Sequence, residues 1–453
     1  MTEEDLGGMR ISRLLPSMAL PMILAQLVNG LYSIVDRIYL GHIPLSGSLV
    51  LTGVGVTYPA VLLIASFSRL VGNGGGPLAA MRLGQRKKEA ADEILSNSVS
   101  ALIILSVLLM AFFYAFKRPL LRLFGASSLT MPSADGYLSV YLLGTPFILL
   151  TLGLTPFLTA EGRTGKAMAA VVTGALLNMI LDPLFIFALG LGAQGAAAAT
   201  VISQTASALF VLRLLTRREG GLRVVPGLMR PRKKVLIPVL KLGASPFIMG
   251  VTEAAISFVF NSRLQALGGD LAVGTMAILS SVMSFSSMPV TGFNQALVPV
   301  ISFNFGSGSD ERVKEAFRFS AALELIYTLL VSLVSLSIPG AIISLFTSDP
   351  ELISFASPCL RLFLIGYSVF GLQCASQNAF LGLGQAGISM FFAVFRKVIL
   401  LIPLVYLLSS TPLGMNGVFL AESIADSVSA LVTFTVFCLR LNFILGRGAP
   451  ASA

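Results

Sequence analysis

Tryptophan is absent from this 453-residue chain, histidine occurs once, as His42, and cysteine three times. Charged residues make up only 11%, against roughly a quarter in soluble domains. Each shortage excludes something. A single histidine, with no Cys-x-x-Cys or His-Glu-x-x-His, leaves no zinc or haem signature. Cys359, Cys374 and Cys438 are odd in number and far apart, so they read as small residues of apolar runs and not as a disulfide frame. So little charge excludes a soluble enzyme, a disordered chain and a nucleic-acid-binding domain. What abounds is apolar, at 55%. At roughly 20 residues per membrane-crossing helix, that is enough for about a dozen spans.

The apolar residues come in long charge-poor runs parted by short charged or Gly/Pro-containing loops. Twelve helices are predicted, over 14–40, 49–80, 94–116, 137–159, 167–189, 195–215, 239–267, 271–303, 317–346, 358–382, 388–408 and 415–440. Helices are required because a backbone in lipid must satisfy its own hydrogen bonds. The runs are continuous and do not alternate, which argues against a barrel. The first is too long for the core of a secretory signal, no A-x-A site follows a short core, and it reads as a retained helix.

Basic residues orient the spans. With the N-terminus inside, 22 of the 31 Lys and Arg fall on inner segments and 6 on outer ones. The other three, Arg69, Arg396 and Lys397, lie within helices. Both termini are therefore expected in the cytoplasm, and the net charge of +10 points to anionic lipid, not to nucleic acid. The most basic connection, TRREGGLRVVPGLMRPRKK, sits near the middle of the chain. Shifting by 222 residues lays Pro77 on Pro299, Gly84 on Gly306, Gly144 on Gly366, Gly162 on Gly384 and Gly192 on Gly414. A shift of 225 lays Pro21 on Pro246 and Asp36 on Asn261. A duplication follows, with a lobe over 1–215, a basic cytoplasmic linker over 216–238 and a second lobe over 239–453. Six helices per half is an even number, so both halves enter from the same side, as in a parallel transporter repeat with a cavity between its lobes.

A charge in the hydrocarbon layer costs a few kcal/mol and is by default functional. Asp36, Asp182, Glu253, Glu422, Asp426 and Arg69 read as deep, whereas Glu324, Arg396 and Lys397 read as near enough to the inner ends to snorkel. At 1.5 Å per residue, Asp36 lies about 7 Å below the outer end of helix 1. Asp182 lies about 12 Å below that of helix 5, and Thr200 about 7 Å into helix 6. Asn178 is one turn from Asp182 on the same face. Two carboxylates, an amide and a hydroxyl at similar depth suit a small cation or a proton. The alternative is that the two acids brace a helix broken at Pro183. Glu253, midway along helix 7, either attracts a cationic substrate or pairs with Arg69. Gln26, Asn29, Asn73, Asn294, Gln295, Gln373, Gln377 and Asn378 either line the cavity or join helices. Met276, Met283 and Met288, with Phe285 and Phe293, give helix 8 a flexible apolar wall or ordinary packing. Glu422 and Asp426, one turn apart, serve either coupling or internal contacts. GNGGGP (72–77) and GRTGKA (162–167) both lack phosphate-loop spacing.

ALPMILAQLVNGLYSIVDRIYLGH, AEGRTGKAM, LLNMILDPLFIF, GAQGAAAATVISQ, VPVISFNFGSG and GMNGVFLAESIAD, in this order and spacing, resemble the multidrug and toxic compound extrusion (MATE) family across essentially the whole chain. The resemblance implies two six-helix bundles in a V that alternate between inward and outward openings. It implies export of organic, often cationic and amphipathic, compounds against a proton or sodium gradient. Asp36 resembles the family's helix 1 aspartate, Asp182 and Asn178 its helix 5 partners, Thr200 its helix 6 hydroxyl, and Glu253 the helix 7 acid of some members. Those members also carry a helix 10 aspartate, but 352–421 holds no Asp or Glu here, which favours the first lobe for coupling.

The expectation is thus an all-α membrane antiporter of the plasma membrane, working as a single copy. It would handle small organic substrates within the lipid bilayer, without cofactor or nucleic acid, and couple to protons or sodium. Rival readings are a flippase for a lipid-linked precursor, kept open by Arg69, Arg396 and Lys397, and, more remotely, a channel.

Overall fold

The chain meets the demand for internally bonded backbone with helices, and a computed structural model shows no strand among the described residues, 3–43, 47–217, 221–347 and 349–448. After a short helix at Glu3–Gly8 come α1 (Ile11–Gly41), α2 (Leu49–Gly84) and α3 (Lys88–Leu123). α4 is a pair, Met131–Leu143 and Thr145–Ala160, bent by 59°. α5 (Thr164–Ala188), α6 (Gly192–Thr216), α7 (Lys233–Gly269) and α8 (Leu271–Gly306) follow. α9 (Asp310–Ser337), α10 (Pro350–Gly382), α11 (Ala386–Ser409) and α12 (Gly414–Arg447) complete the set. Counting the bent pair once, twelve helices are long and apolar enough to cross a membrane among the described residues, consistent with two six-helix halves. The bend in α4 falls at Gly144, just before Pro146, where proline withdraws an N–H from the ladder. α9 stops at Ser337, and Pro339–Ile343 forms a separate turn. Residues 233–238, read above as linker, are instead the opening turns of α7. Arg218, one of the linker's basic residues, lies outside the described residues.

The duplication is written into the backbone. Left-handed conformations recur 222 residues apart, at Gly162 and Gly384, at Gly192 and Gly414, and at Arg86 and Gly308. Such residues stand at helix ends, where the chain turns, and Gly192 and Gly414 open α6 and α12, so both halves turn the chain at matching places.

The halves meet through α1 and α2 on one side and α7 and α8 on the other. At the face holding the chain termini, here the terminal face, α2 and α8 cross with backbones touching. A Cβ on Gly84 would collide with the carbonyl oxygen of Phe303, and one on Gly306 with that of Met81. The two collisions are images of each other under the 222-residue shift. The buried apolar side chains show which way the halves part. One cluster runs through the first half and into the terminal-face ends of α8, α9, α10 and α12, including Phe305, Phe317, Phe380 and Phe437. A separate cluster, with Phe260, Leu279, Phe363, Tyr367 and Phe419, fills the opposite end of the second half alone. The core is therefore shared at the terminal face and divided away from it, which is the geometry of a V.

The connection between the halves is strapped to α3. Asp92 accepts from the Arg223 N–H at 2.8 Å, Ser96 from Val225 at 2.9 Å, and Asn97 from Arg232 at 2.7 Å. Asn97 also donates to the Leu228 carbonyl at 3.0 Å, Ser100 to that of Met229, and Glu93 pairs with Arg232 at 2.7 Å. Residues 92, 96 and 100 recur every fourth position on one face. This explains why α3 begins six residues before its apolar run: its first turns are a docking rail. The chain start is held by the other half, since Arg312 donates to the Leu6 and Met9 carbonyls at 3.0 and 2.9 Å, and Asn304 to Leu6 at 3.1 Å.

Substituting Gly306→Val should wedge α2 from α8 and lower the stability of the purified protein by about 2 kcal/mol, as overpacking does. Gly55→Ala, at a glycine with open space around it, should leave the thermal unfolding curve in detergent unchanged.

Candidate functional site

α1 and α5 bring Asp36 and Asp182 together, close enough for the two carboxyls to act on each other. A carboxylate only accepts, so two that meet this closely need a proton or a cation between them. Asp182 is fully buried, Asp36 partly so. Asn178 spans the gap to α6. With its amide oriented to satisfy both neighbours, it donates to Asp182 Oδ2 at 2.7 Å and accepts from the Thr200 N–H at 3.1 Å. The Thr200 hydroxyl donates to the Ala196 carbonyl at 3.0 Å. Asp36 Oδ1 is buried with no hydrogen-bond partner among the described residues. It is an unspent acceptor inside an oxygen-rich cluster, which would attract a small cation.

Local sequence explains the placement. Pro183 follows Asp182 and cannot donate to the helix ladder. Immediately after it, Leu184–Ala188 widens into a π-helix, a feature that recurs at functional sites. The four residues that sequence depth singled out, Asp36, Asn178, Asp182 and Thr200, thus come together in one place.

Sequence reasoning missed the aromatic wall. Tyr32, one turn from Asp36, lines the same small cavity as Thr200. Tyr137 and Tyr141 of α4 are buried, with rings stacked at 5.9 Å, and Tyr137 lies within electrostatic reach of both aspartates. The available signal was spacing: Tyr32 and Asp36, and likewise Tyr137 and Tyr141, stand four apart on single faces. Beside the cluster lies a cavity of about 40 Å³, bordered by Asn29, Tyr32, Gly174, Asn178, Thr200 and Gln204, among others. That is room for a few waters.

The second half treats its charges differently. Arg396 donates to Asp426 at 2.6 Å and to Glu422 at 3.0 Å, and its guanidinium lies 4.6 Å from the Phe370 ring centroid. Lys397 donates to Glu253. Neither cation snorkels: Arg396 is 7% and Lys397 6% exposed. They lie in a π-helix, Phe395–Leu401, which lets adjacent residues turn toward α12 and α7. Glu324, also expected to snorkel, is buried and accepts from Asn294 at 2.9 Å, so Asn294 is committed within its own half. Glu253 remains open, its side chain 61% exposed despite the pair with Lys397. The Arg69 guanidinium lies against Gly250, nearly one turn before Glu253, and the two charges act on each other. Gln26, Asn73, Gln295 and Met283 are half-buried, Asn29 is exposed, and Met283 packs on the outer cluster of the second half.

Comparison with known proteins places this geometry in context. The family model described as MatE matches residues 21–184 and again 247–407, once in each half. The chain is 26% identical over 433 residues to the multidrug export protein MepA of Staphylococcus haemolyticus (strain JCSC1435), covering 95% of this chain and 94% of that protein. It is 25% identical over 422 residues to MepA of Staphylococcus aureus (strain MRSA252), covering 93% and 92%. A MATE transporter crystallised in a bent conformation superimposes with a TM-score of 0.92 at 24% identity, over 99% of both chains. A multidrug resistance MATE family transporter in an outward-facing conformation gives 0.89 at 24%, over 98% of this chain and 99% of that one.

Removing Arg396 alone, as Arg396→Met, would strand Glu422 and Asp426 as buried unpaired acids and should cost about 3–5 kcal/mol. The triple variant Arg396→Met/Glu422→Gln/Asp426→Asn should recover most of that loss. Thermal unfolding of the three proteins in detergent checks both statements.

Proposed function

This chain belongs to the MatE family of multidrug efflux transporters, and on that premise we propose that it exports organic, often cationic and amphipathic, compounds in exchange for protons or sodium. The observation that carries the coupling assignment is the meeting of Asp36 and Asp182 around an acceptor left without a partner among the described residues. Such a site takes up one positive charge and releases it when its surroundings change. A cation and a substrate that favour different states of the two halves then link their movements. In this reading the terminal face is cytoplasmic and the membrane is the plasma membrane. Residues 1–215 and 239–453 are the moving lobes, a single copy suffices, and the V opens outward.

Substrate would enter the cleft between α1, α2, α7 and α8. Glu253 meets it as an exposed acid whose present partner, Lys397, is a side chain that an organic cation would replace. Asn29, Gln26, Asn73, Gln295 and Arg69 supply polar contacts, and Met283 an adaptable apolar one. The flippase reading needs a large cationic cavity. Arg396 and Lys397 are spoken for by three acids, which favours export of small organic compounds.

The test is transport of a fluorescent cationic dye in proteoliposomes, with pH and sodium gradients imposed separately. Asp36→Asn and Asp182→Asn should each lower gradient-driven transport at least tenfold while thermal unfolding stays near that of the parent. Normal gradient-driven rates in both variants would overturn the coupling assignment. The gradient that drives the parent protein identifies the ion.

A further inference from the structure

α9 and α12 run in opposite directions on the second half, and their terminal-face ends leave an open groove of about 500 Å³ between them. Its wall changes character with depth. Lys314 of α9 and Asn442 of α12 stand nearest the terminal face, Phe317 and Arg318 follow at adjacent positions, and Cys438, Ala321 and Phe434 lie deeper. Lys314 is four residues from the start of α9, so about 6 Å along its axis, and Phe434 is thirteen from the end of α12, about 20 Å. The mouth thus sits at headgroup level and the floor within the hydrocarbon. Leu323 and Ile326 on α9, and Leu431 and Leu439 on α12, are exposed large apolar side chains flanking the groove, so it opens on the lipid-facing surface. Arg318 is exposed and has no hydrogen-bond or ion-pair acceptor among the described residues. Lys314 pairs with the rim acid Glu311, 84% exposed, at 2.8 Å. Glu311 and Glu315 stand on the same turns, but the two charged residues that line the groove itself, Lys314 and Arg318, are both cations.

We propose that this groove binds an anionic phospholipid of the leaflet on the terminal side. Its headgroup phosphate lies between Lys314 and Arg318, and an acyl chain runs along Phe317 and Phe434. Both cations lie toward the terminal face and Ala321 and Phe434 farther in, as headgroup and acyl chain do in a leaflet, and basic pockets between spanning helices are a recurring way to hold such headgroups. A zwitterionic lipid would bring its own ammonium against the same two cations. An organic cation, the cargo proposed above, is repelled by them, so the groove and the cleft serve different ligands.

Cys438 supplies the reporter, being the exposed thiol of the three cysteines and part of the groove wall. In a full-length Cys359→Ser/Cys374→Ser background in detergent, maleimide labelling of Cys438 is followed as lipid is added. Phosphatidylglycerol should slow labelling at least fivefold and saturably. Phosphatidylcholine with the same acyl chains, and glycerol 3-phosphate, should not. Adding Lys314→Gln/Arg318→Gln should abolish the protection while leaving the lipid-free rate unchanged. Equal protection by both lipids, protection by glycerol 3-phosphate alone, or protection that survives the double substitution would overturn the proposal. Native mass spectrometry of the parent chain gives a readout free of the cysteine changes. One phosphatidylglycerol should be retained, and it should be lost in Lys314→Gln/Arg318→Gln; equal retention in both overturns the proposal.

Discussion

A charge inside an oil-like layer must meet an opposite charge, a proton or a passenger, and the two halves of this protein answer that constraint differently. In the second half every deep cation has found an acid. Arg396 is held by Glu422 and Asp426, and Lys397 by Glu253. In the first half the deep acids have found only each other. Asp36 and Asp182 face each other, and Arg37, next to Asp36 in the chain, has its guanidinium 6.0 Å from the Tyr58 ring. A fold that neutralises its charges internally is stable and inert in that region. One that leaves a pair of acids without a resident cation has a standing affinity for a mobile one.

The remaining architecture concerns which contacts persist and which part. Glycine at the α2–α8 crossing brings backbones together at the terminal face, where no side chain intervenes, and the apolar core is continuous there. Away from that face the second half keeps its own separate core. The connection between the halves is bonded along α3 and therefore travels with the first half, and the freedom between them begins only at the start of α7. The chain start belongs covalently to the first half but is held by Arg312 and Asn304 of the second. Any opening of the terminal face must break those bonds as well as the glycine crossing.

Much of this was legible in the residues because membrane burial simplifies the code. Long apolar runs leave few alternatives to spanning helices, and depth counted from helix ends brought Asp36, Asn178, Asp182 and Thr200 to one level. Lateral position was harder to read. Tyr137 and Tyr141 stand on a helix whose face could be oriented only once the bend at Gly144 was known. Arg396 and Lys397 were expected to reach for the interface because they were counted as near the inner helix ends; instead both are satisfied inside, on the widened turns of the π-helix Phe395–Leu401. Asn294 could not be separated from cavity-lining amides without knowing that Glu324 sat buried one helix away.

The repeat makes the contrast between halves quantitative in position. Shifting Arg396 and Lys397 back by 222 residues gives Gly174 and Ala175; shifting Glu422 and Asp426 back gives Thr200 and Gln204. These four residues border the small cavity beside Asp182. The same shell of helices therefore holds two long cations and two acids in one half, and a glycine, an alanine, a hydroxyl and an amide around empty space in the other. The short side chains on α5 leave a polar cavity, and the acids on α1 and α5 stand beside it. Gln204 Oε1 and Ser203 Oγ border that void without partners, as expected of groups that meet water there. The duplicated fold thus yields one braced half and one half with room for an ion and its hydration.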